Sequence, residues 1–242
     1  MQPPASVRVL GVRVDDVTQA ETLALIAGWI EARTPRHVVT VNPEFVVRTW
    51  ENKEFAAVLE GADLATPDGV GVVWAGRRLG ATMPERVGGS DIALPLAGQC
   101  ARRGHRLFLL GAAEGVAAEA AHRLQRACPG LQIAGTYSGS PRSEDEDAIV
   151  DVVRRARPDL LLVAYGSPAQ DFWIARNKER LGVPVSIGVG GALDYLAGVQ
   201  RRAPAIVRRL WLDWAFRLVM QPWRWRRMLA LPRFAWAVLR HT

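Results

Sequence analysis

The chain has 242 residues, of which 49% are apolar and 23% charged, with a mean hydropathy of +0.03. This balance excludes a disordered tail protein and leaves one globular unit large enough to bury a core, with room for an appendage. The net charge of +7 allows nucleic acid, anionic lipid or a phosphorylated ligand as partner and does not choose among them.

In chain order, the amino terminus MQPPASVRVLGVRVDD lacks a basic leader followed by an apolar run, so no signal peptide is expected. Strands are predicted at Val7 to Val14, His37 to Val41, Ala62 to Thr66, Arg106 to Leu110, Gln132 to Tyr137, Asp159 to Ala164 and Pro184 to Val189. Helical patterns separate them. Asp16 precedes one, Pro43 with Glu44 opens another, and Ser143 with Glu146 spells a capping box before Ile149, Val152 and Val153. Strand and helix in alternation predict a doubly wound, mostly parallel α/β sheet, whose ligands sit where the carboxyl ends of the strands open.

After Leu196 the rhythm changes. Residues 201–242 contain ten arginines against Asp213 alone, and five of the nine tryptophans. Ile206, Val207, Leu210, Trp211, Trp214 and Leu218 recur at helical spacing, and Pro222 and Pro232 divide the remainder into short helical pieces. The division expected is a body of residues 1–198 and a basic helical appendage of residues 199–242. No stretch reaches the roughly 18 uncharged apolar residues of a spanning helix. Amphipathic, arginine- and tryptophan-rich helices instead suit an interfacial membrane contact. Against this stands a helical subdomain that packs its tryptophans on the body.

Most polar candidates fall at strand ends. In Thr40-Val41-Asn42-Pro43-Glu44, Asn42 either caps the next helix or faces a ligand. Asp68 in Thr66-Pro67-Asp68-Gly69 reads equally as a cap or as a base held above the sheet. Arg86 with Gly88 and Gly89 before a helix suits a phosphate, the glycines opening backbone amides and the arginine supplying a bidentate partner. Gly111-Ala112-Ala113-Glu114-Gly115 makes a strand-to-helix turn of the nucleotide-binding kind but lacks the full dinucleotide pattern. Gln170 and Asp194 follow the last two strands, where they can bond sugar hydroxyls or a uracil. Asp145 and Asp147 spell a metal-binding DxD, yet in a first helical turn such acids more simply answer the helix dipole. The four histidines show no ligand spacing, and Cys100 and Cys128 form neither a disulfide framework nor a metal pair, so no metal or other cofactor is expected.

Together these segments resemble the WecG/TagA/CpsF glycosyltransferases. The resemblance rests on TVNPEF (40–45), ADLATPDGVGVVWAGR (62–77), ERVGGSD (85–91), LFLLGA (107–112), YGSPAQDFW (165–173), GVGGALDYLAG (188–198) and RRAP (201–204), in order along nearly the whole chain. It implies a Rossmann-like sheet and a metal-independent, inverting transfer of an N-acetylmannosamine-type sugar. The donor would be its UDP derivative, and the acceptor the 4-hydroxyl of N-acetylglucosamine on undecaprenyl diphosphate. UDP-glucose or UDP-N-acetylmannosaminuronic acid are the alternative donors. By motif position Asp68 would be the general base with Thr40 beside it at the catalytic centre. Asn42, Arg86, Gly88, Gly89, Gly111, Tyr137, Gln170 and Asp194 would contact the donor. Arg217, Arg224 and Arg227 would face a diphosphate or the lipid carrier. The implied partners are the UDP-sugar, the polyprenyl-diphosphate acceptor and an anionic membrane surface, with no nucleic acid and with room for a homo-oligomer. The implied location is cytoplasmic, peripheral on the inner face of the cell membrane.

Two readings compete with this one. A nicotinamide-dependent oxidoreductase would use the Gly111 turn, but the third glycine is missing. A non-catalytic module could bind anionic lipid through the appendage. Trp223, Trp225, Met228, Leu229 and Phe234 favour lipid over nucleic acid, whose affinity rests on phosphate contacts.

Overall fold

The computed structural model describes residues 3–201, 203–204, 206–207 and 213–241. Its centre is a six-stranded parallel sheet of β3 (Arg36–Val41), β4 (Leu64–Pro67), β5 (Arg106–Gly111), β6 (Gln132–Tyr137), β7 (Leu160–Ala164) and β8 (Val185–Gly188), in the order β4-β3-β8-β7-β5-β6. β7 reads Leu-Leu-Leu-Val-Ala and is buried throughout, as a parallel strand covered on both faces must be.

The side-chain alternation of each strand divides the core. Val38, Leu107, Leu109, Leu160, Leu162 and Ile187 meet α1 (Gln19–Ala32), α5 (Gly89–Arg103), α6 (Val116–Ala127) and α9 (Ala192–Leu196) on one face. On the other, Val39 and Val41 meet α2 (Pro43–Glu51), α3 (Lys53–Glu60) and α4 (Val70–Arg78). There too, Phe108, Leu110, Leu161 and Val163 meet α7 (Glu146–Ala156) and α8 (Ala169–Leu181). The doubly wound α/β reading therefore holds. The helices after β3 and β7 cover one face and those after their neighbours β8 and β5 the other, so two crevices open at the carboxyl edge.

Three local expectations change. Val7 to Val14 is not one strand but a hairpin, β1 (Ser6–Val9) and β2 (Val12–Asp15), in antiparallel register with Val9 opposite Val12. Leu10 and Gly11 turn it with φ of 49° and 91°, the two positive values a tight hairpin turn requires, and a leucine at the first position hides that turn from the pattern. Asp16 does not start α1; Thr18 caps it in a box with Glu21, while Asp16 accepts from the Thr82 and Met83 amides at 2.9 and 2.7 Å. Ser143 caps nothing, because a 3-10 turn (Ser143–Asp145) precedes α7 and Glu146 pairs with Arg176 instead. Asp147 pairs with Arg180 in the same way, so the first turn of α7 is answered by arginines. Both cysteines are free thiols.

The carboxyl-terminal stretch supplies α10 (Asp213–Met220), a 3-10 turn (Pro222–Arg224), α11 (Trp225–Met228) and α12 (Ala230–His241). Pro222 begins its turn, whereas Pro232 sits in the first turn of α12, where its missing N–H costs no helical bond. α12 is moored to the body by Phe234, Ala237 and Val238, of which Phe234 and Val238 join the cluster of Val46, Val72 and Val73. Gly71 permits this approach, since a Cβ there would stand 3.5 Å from the Phe234 ring and 2.8 Å from Pro43 Cγ. The tryptophans do not do the packing: Trp214, Trp223, Trp225 and Trp236 are exposed, Trp223 by 73%, and Trp211 lies outside the described residues. Among the described residues no helix is long and apolar enough to cross a membrane.

Phe234→Ala should lower stability by about 3 kcal/mol, the scale of emptying a buried aromatic site. A shift of the urea midpoint at unchanged slope would measure it, and an unmoved midpoint would show that α12 does not belong to the cooperative core.

Candidate active site

The turn after each sheet strand delivers polar groups to one edge. After β3, Asn42 caps α2, its Oδ1 accepting the Phe45 amide at 3.1 Å, and Pro43 takes the first helical position, where proline fits. After β4, the cap of α4 is Gly69, at φ 88° and without a side-chain cap, so Asp68 is not spent on the helix. The Asp68 amide instead donates to the Val41 carbonyl at 2.8 Å, which ties the two strand ends together.

The loop before α5 runs alongside β4. The Val87 amide donates to Pro67 O at 2.7 Å, and Thr66 Oγ1 donates to Val87 O at 2.7 Å. Packing explains its glycines. A Cβ on Gly88 would lie 2.3 Å from Asp68 Oδ1, and one on Gly89 would lie 2.8 Å from Val189 Cα, so the first admits the carboxylate and the second the turn after β8. Arg86 Nε donates to Asp91 Oδ2 at 3.0 Å, and its Nη1 meets the Asp213 carboxylate of α10. Burial works against the Arg86 charge, yet Asp91, Asp213 and Asp68 outweigh it and hold the guanidinium pKa above its ordinary value.

Asn42, Asp68 and Arg86 line one pocket of about 170 Å³. Glu44, Ser90 and Tyr195 of the body, with Asp213, Trp214 and Arg227 of the carboxyl-terminal helices, contribute to its wall. The volume is below the roughly 300–1,000 Å³ usual for a drug-sized ligand and suits a group the size of one sugar ring. Arg227 Nε donates to Glu44 Oε1 at 2.8 Å. The structure describes the backbone of Arg217 in α10 and of Arg224 in the 3-10 turn, and both side chains lie outside the described residues.

The other candidates do not line this pocket. Thr40 is buried on β3, paired in register with Thr66. Gln170 is buried, and its Oε1 accepts the Gly190 amide at 2.9 Å, which holds the turn that leads to Asp194 in α9. Gly111 and Tyr137 belong to the other crevice. Gly111 (φ 99°) is needed because a Cβ would lie 2.8 Å from the Ala164 carbonyl carbon, and Tyr137 is exposed at the end of β6. Beside them, Tyr165 Oη and Ser167 Oγ are buried without a hydrogen-bond partner among the described residues.

Sequence reasoning missed Glu44, Tyr195 and Trp214 as wall residues, and counted Asp213 only as a charge. It also missed a buried pair behind Gln170. Asp171 is fully buried, both its oxygens lack a hydrogen-bond partner among the described residues, and His37 Nε2 stands 4.0 Å from Oδ1. Burial pushes the Asp171 carboxyl up to about 7. Burial, with the nearby Lys178 charge, lowers His37 to about 3.

The chain is similar to known proteins along most of its length. The family model described as Glycosyl transferase WecG/TagA/CpsF family matches residues 7–242. Relatives named N-acetylglucosaminyldiphosphoundecaprenol N-acetyl-beta-D-mannosaminyltransferase come from several bacteria. One from Bacillus spizizenii strain W23 is 37% identical over 84% of this chain and 79% of its own length. One from Bacillus subtilis strain 168 is 33% identical over 88% of this chain and 82% of its own. One from Staphylococcus aureus strain MW2 is 30% identical over 97% of this chain and 92% of its own.

The buried pair generates a pH prediction. A carboxyl whose folded pKa is raised weakens the fold as pH climbs from its unfolded value of about 4 towards 7. Asp171→Asn removes that loss, so the melting temperature of the variant relative to the parent should rise over this window and level off above it. A difference independent of pH would mean that Asp171 does not bind its proton more tightly in the folded protein.

Proposed function

This chain belongs to the glycosyl transferase WecG/TagA/CpsF family, and from that premise we propose that it moves N-acetylmannosamine from its UDP derivative to the 4-hydroxyl of N-acetylglucosamine on undecaprenyl diphosphate. The carrying observation is one pocket at the carboxyl edge that joins Asp68 to Arg86 of the body and to Arg227 of the carboxyl-terminal helices. The names of the relatives support the sugar and the lipid-linked acceptor.

The reaction is one in-line displacement with inversion. The acceptor oxygen forms a bond to the anomeric carbon as the bond from that carbon to the UDP oxygen breaks. Its proton passes to the Asp68 carboxylate, and the electron pair leaves on the β-phosphate. Thr40, on the strand beside Asp68, belongs to the same centre. The charge that builds on UDP is met by guanidinium groups and backbone amides. Arg86 and Arg227 are at hand in the wall, and Arg217 and Arg224 are assigned to the same task. In this reading the guanidinium groups carry the part a metal ion would otherwise take, and the reaction is metal-independent. Asn42 and Gly88 flank the sugar, Gly89, Gln170 and Asp194 hold the β8 side of the donor, and Gly111 and Tyr137 extend its site into the second crevice.

We further infer a peripheral position on the inner face of the cell membrane. Val219, Met220, Trp223, Trp225 and Leu229 are exposed on the appendage of residues 199–242, among arginines suited to an anionic surface. Residues 1–198 form the transferase body in this reading.

The test is UDP release from the full chain with UDP-N-acetylmannosamine and a short-chain polyprenyl-diphosphate N-acetylglucosamine, in EDTA. Acceptor-dependent release should persist in EDTA and fall at least about 100-fold in Asp68→Asn. Release only with UDP-glucose or the uronic acid donor would move the sugar, and silence with all three would overturn the reading. Gly88→Ala should impair transfer comparably without unfolding the protein, because its Cβ displaces the Asp68 carboxylate; full activity in that variant would show that this position of Asp68 is not the working one.

A further inference from the structure

Residues 201–242 contain a single acidic side chain, Asp213, among ten arginines. It does not pair with an arginine of its own segment in any described contact. It crosses to the body and meets Arg86 Nη1, while the other side of that guanidinium, Nε and Nη2, lies against Asp91 at 3.0 and 3.3 Å. Both side chains of the crossing pair are mostly buried, at 21% exposure each, so the contact is shielded from solvent and salt.

A second pair crosses the same seam in the opposite sense. Arg227 of α11 meets Glu44 of α2, and Glu44 also receives Arg48 at 3.3 Å. These four crossing residues all line the pocket. The seam between body and appendage is thus closed at the pocket wall by a body guanidinium on an appendage carboxylate and the reverse. Without Asp213, closing the seam would bring the strongly cationic appendage against the partly buried Arg86 and add repulsion where the wall must seal. A guanidinium held on two sides by carboxylates also has a fixed plane, and a fixed donor is what charge stabilisation in a transition state requires.

We propose that Asp213 is a positioning residue for the transfer reaction, seating the appendage over the pocket and fixing the plane of Arg86. This rests on the reading of the pocket as the transfer site. Asp213 touches Arg86 and takes no proton in the reaction. Its part is to bring Trp214, Arg227 and the rest of the appendage wall to their working places. Truncation is a poor test, because it would also remove the core residues Phe234 and Val238.

The test compares Asp213→Asn, Asp213→Glu and the parent as full chains, by kcat and donor KM in the UDP-release assay. Trypsin cleavage within residues 201–242, monitored by mass without substrate, gives a second readout. Asp213→Asn should lower kcat about tenfold or more, the range for misplacing one transition-state donor, with donor KM within about twofold. It should also speed cleavage of the appendage, while Asp213→Glu recovers most of both. Parental kcat in Asp213→Asn overturns the proposal, whether or not cleavage quickens. Equal losses in Asn and Glu overturn it too, since the charge would then not be what matters. If the parent chain transfers no sugar, the reading of the site fails instead, and the cleavage rates still decide whether Asp213 seats the appendage.

Discussion

A parallel sheet has no face to spare for water. Every strand of the β4-β3-β8-β7-β5-β6 sheet except β6 is buried or nearly so along its length, which obliges helices on both faces and crossovers between neighbouring strands. Most polar side chains are thereby driven off the strands and onto their carboxyl ends, Thr40, Thr66, His37 and Ser186 being the buried exceptions. Asn42, Asp68, Gln170 and Asp194 come from the turns and first helical turns after four strands, scattered over some 150 positions of chain, yet they share one edge of the sheet.

That edge alone makes half a pocket. The other half is carried by helices that pack on the body through a small apolar anchor on α12 and through ion pairs at the rim. The apolar anchor and the polar seam do different work. Burial of Phe234 and Val238 stabilises docking without directing it, since apolar contact has little orientational preference. The crossed pairs Arg86 with Asp213 and Arg227 with Glu44 supply direction, and they do so at the wall where placement matters for chemistry. Partial burial suits that purpose, because fully exposed pairs contribute little and fully buried ones must overcome a large desolvation cost.

Behind the wall, the structure keeps an ionisable pair in a dry place. His37 on β3 stands 4.0 Å from Asp171 on α8, and Asp171 sits beside Gly188, whose Cβ would fall 2.7 Å from Asp171 Oδ1. Burial favours the neutral form of each, lowering His37 and raising Asp171, and the neighbouring Gln170 accepts the Gly190 amide at 2.9 Å.

Hydrophobic periodicity in the sequence was enough to determine the parallel α/β architecture, and the segments from TVNPEF to RRAP were enough to indicate the family. Strand ends also marked most of the candidate residues, since a polar group after an apolar run is visible in one dimension. What periodicity could not show was a two-residue turn hidden at Leu10, because alternation continues through it, or the true start of α1 at Thr18. Nor could it tell a cap from a ligand group: Asn42 proved to be a cap that also faces the pocket, and Asp68 is spared from capping only because Gly69 does that work. Above all, Asp213 was legible as a count, one acid among ten arginines, and not as a contact. Its partner lies 127 positions away, and pairing at that separation is decided by how α10 lies against the loop before α5, which only the packed tertiary structure fixes.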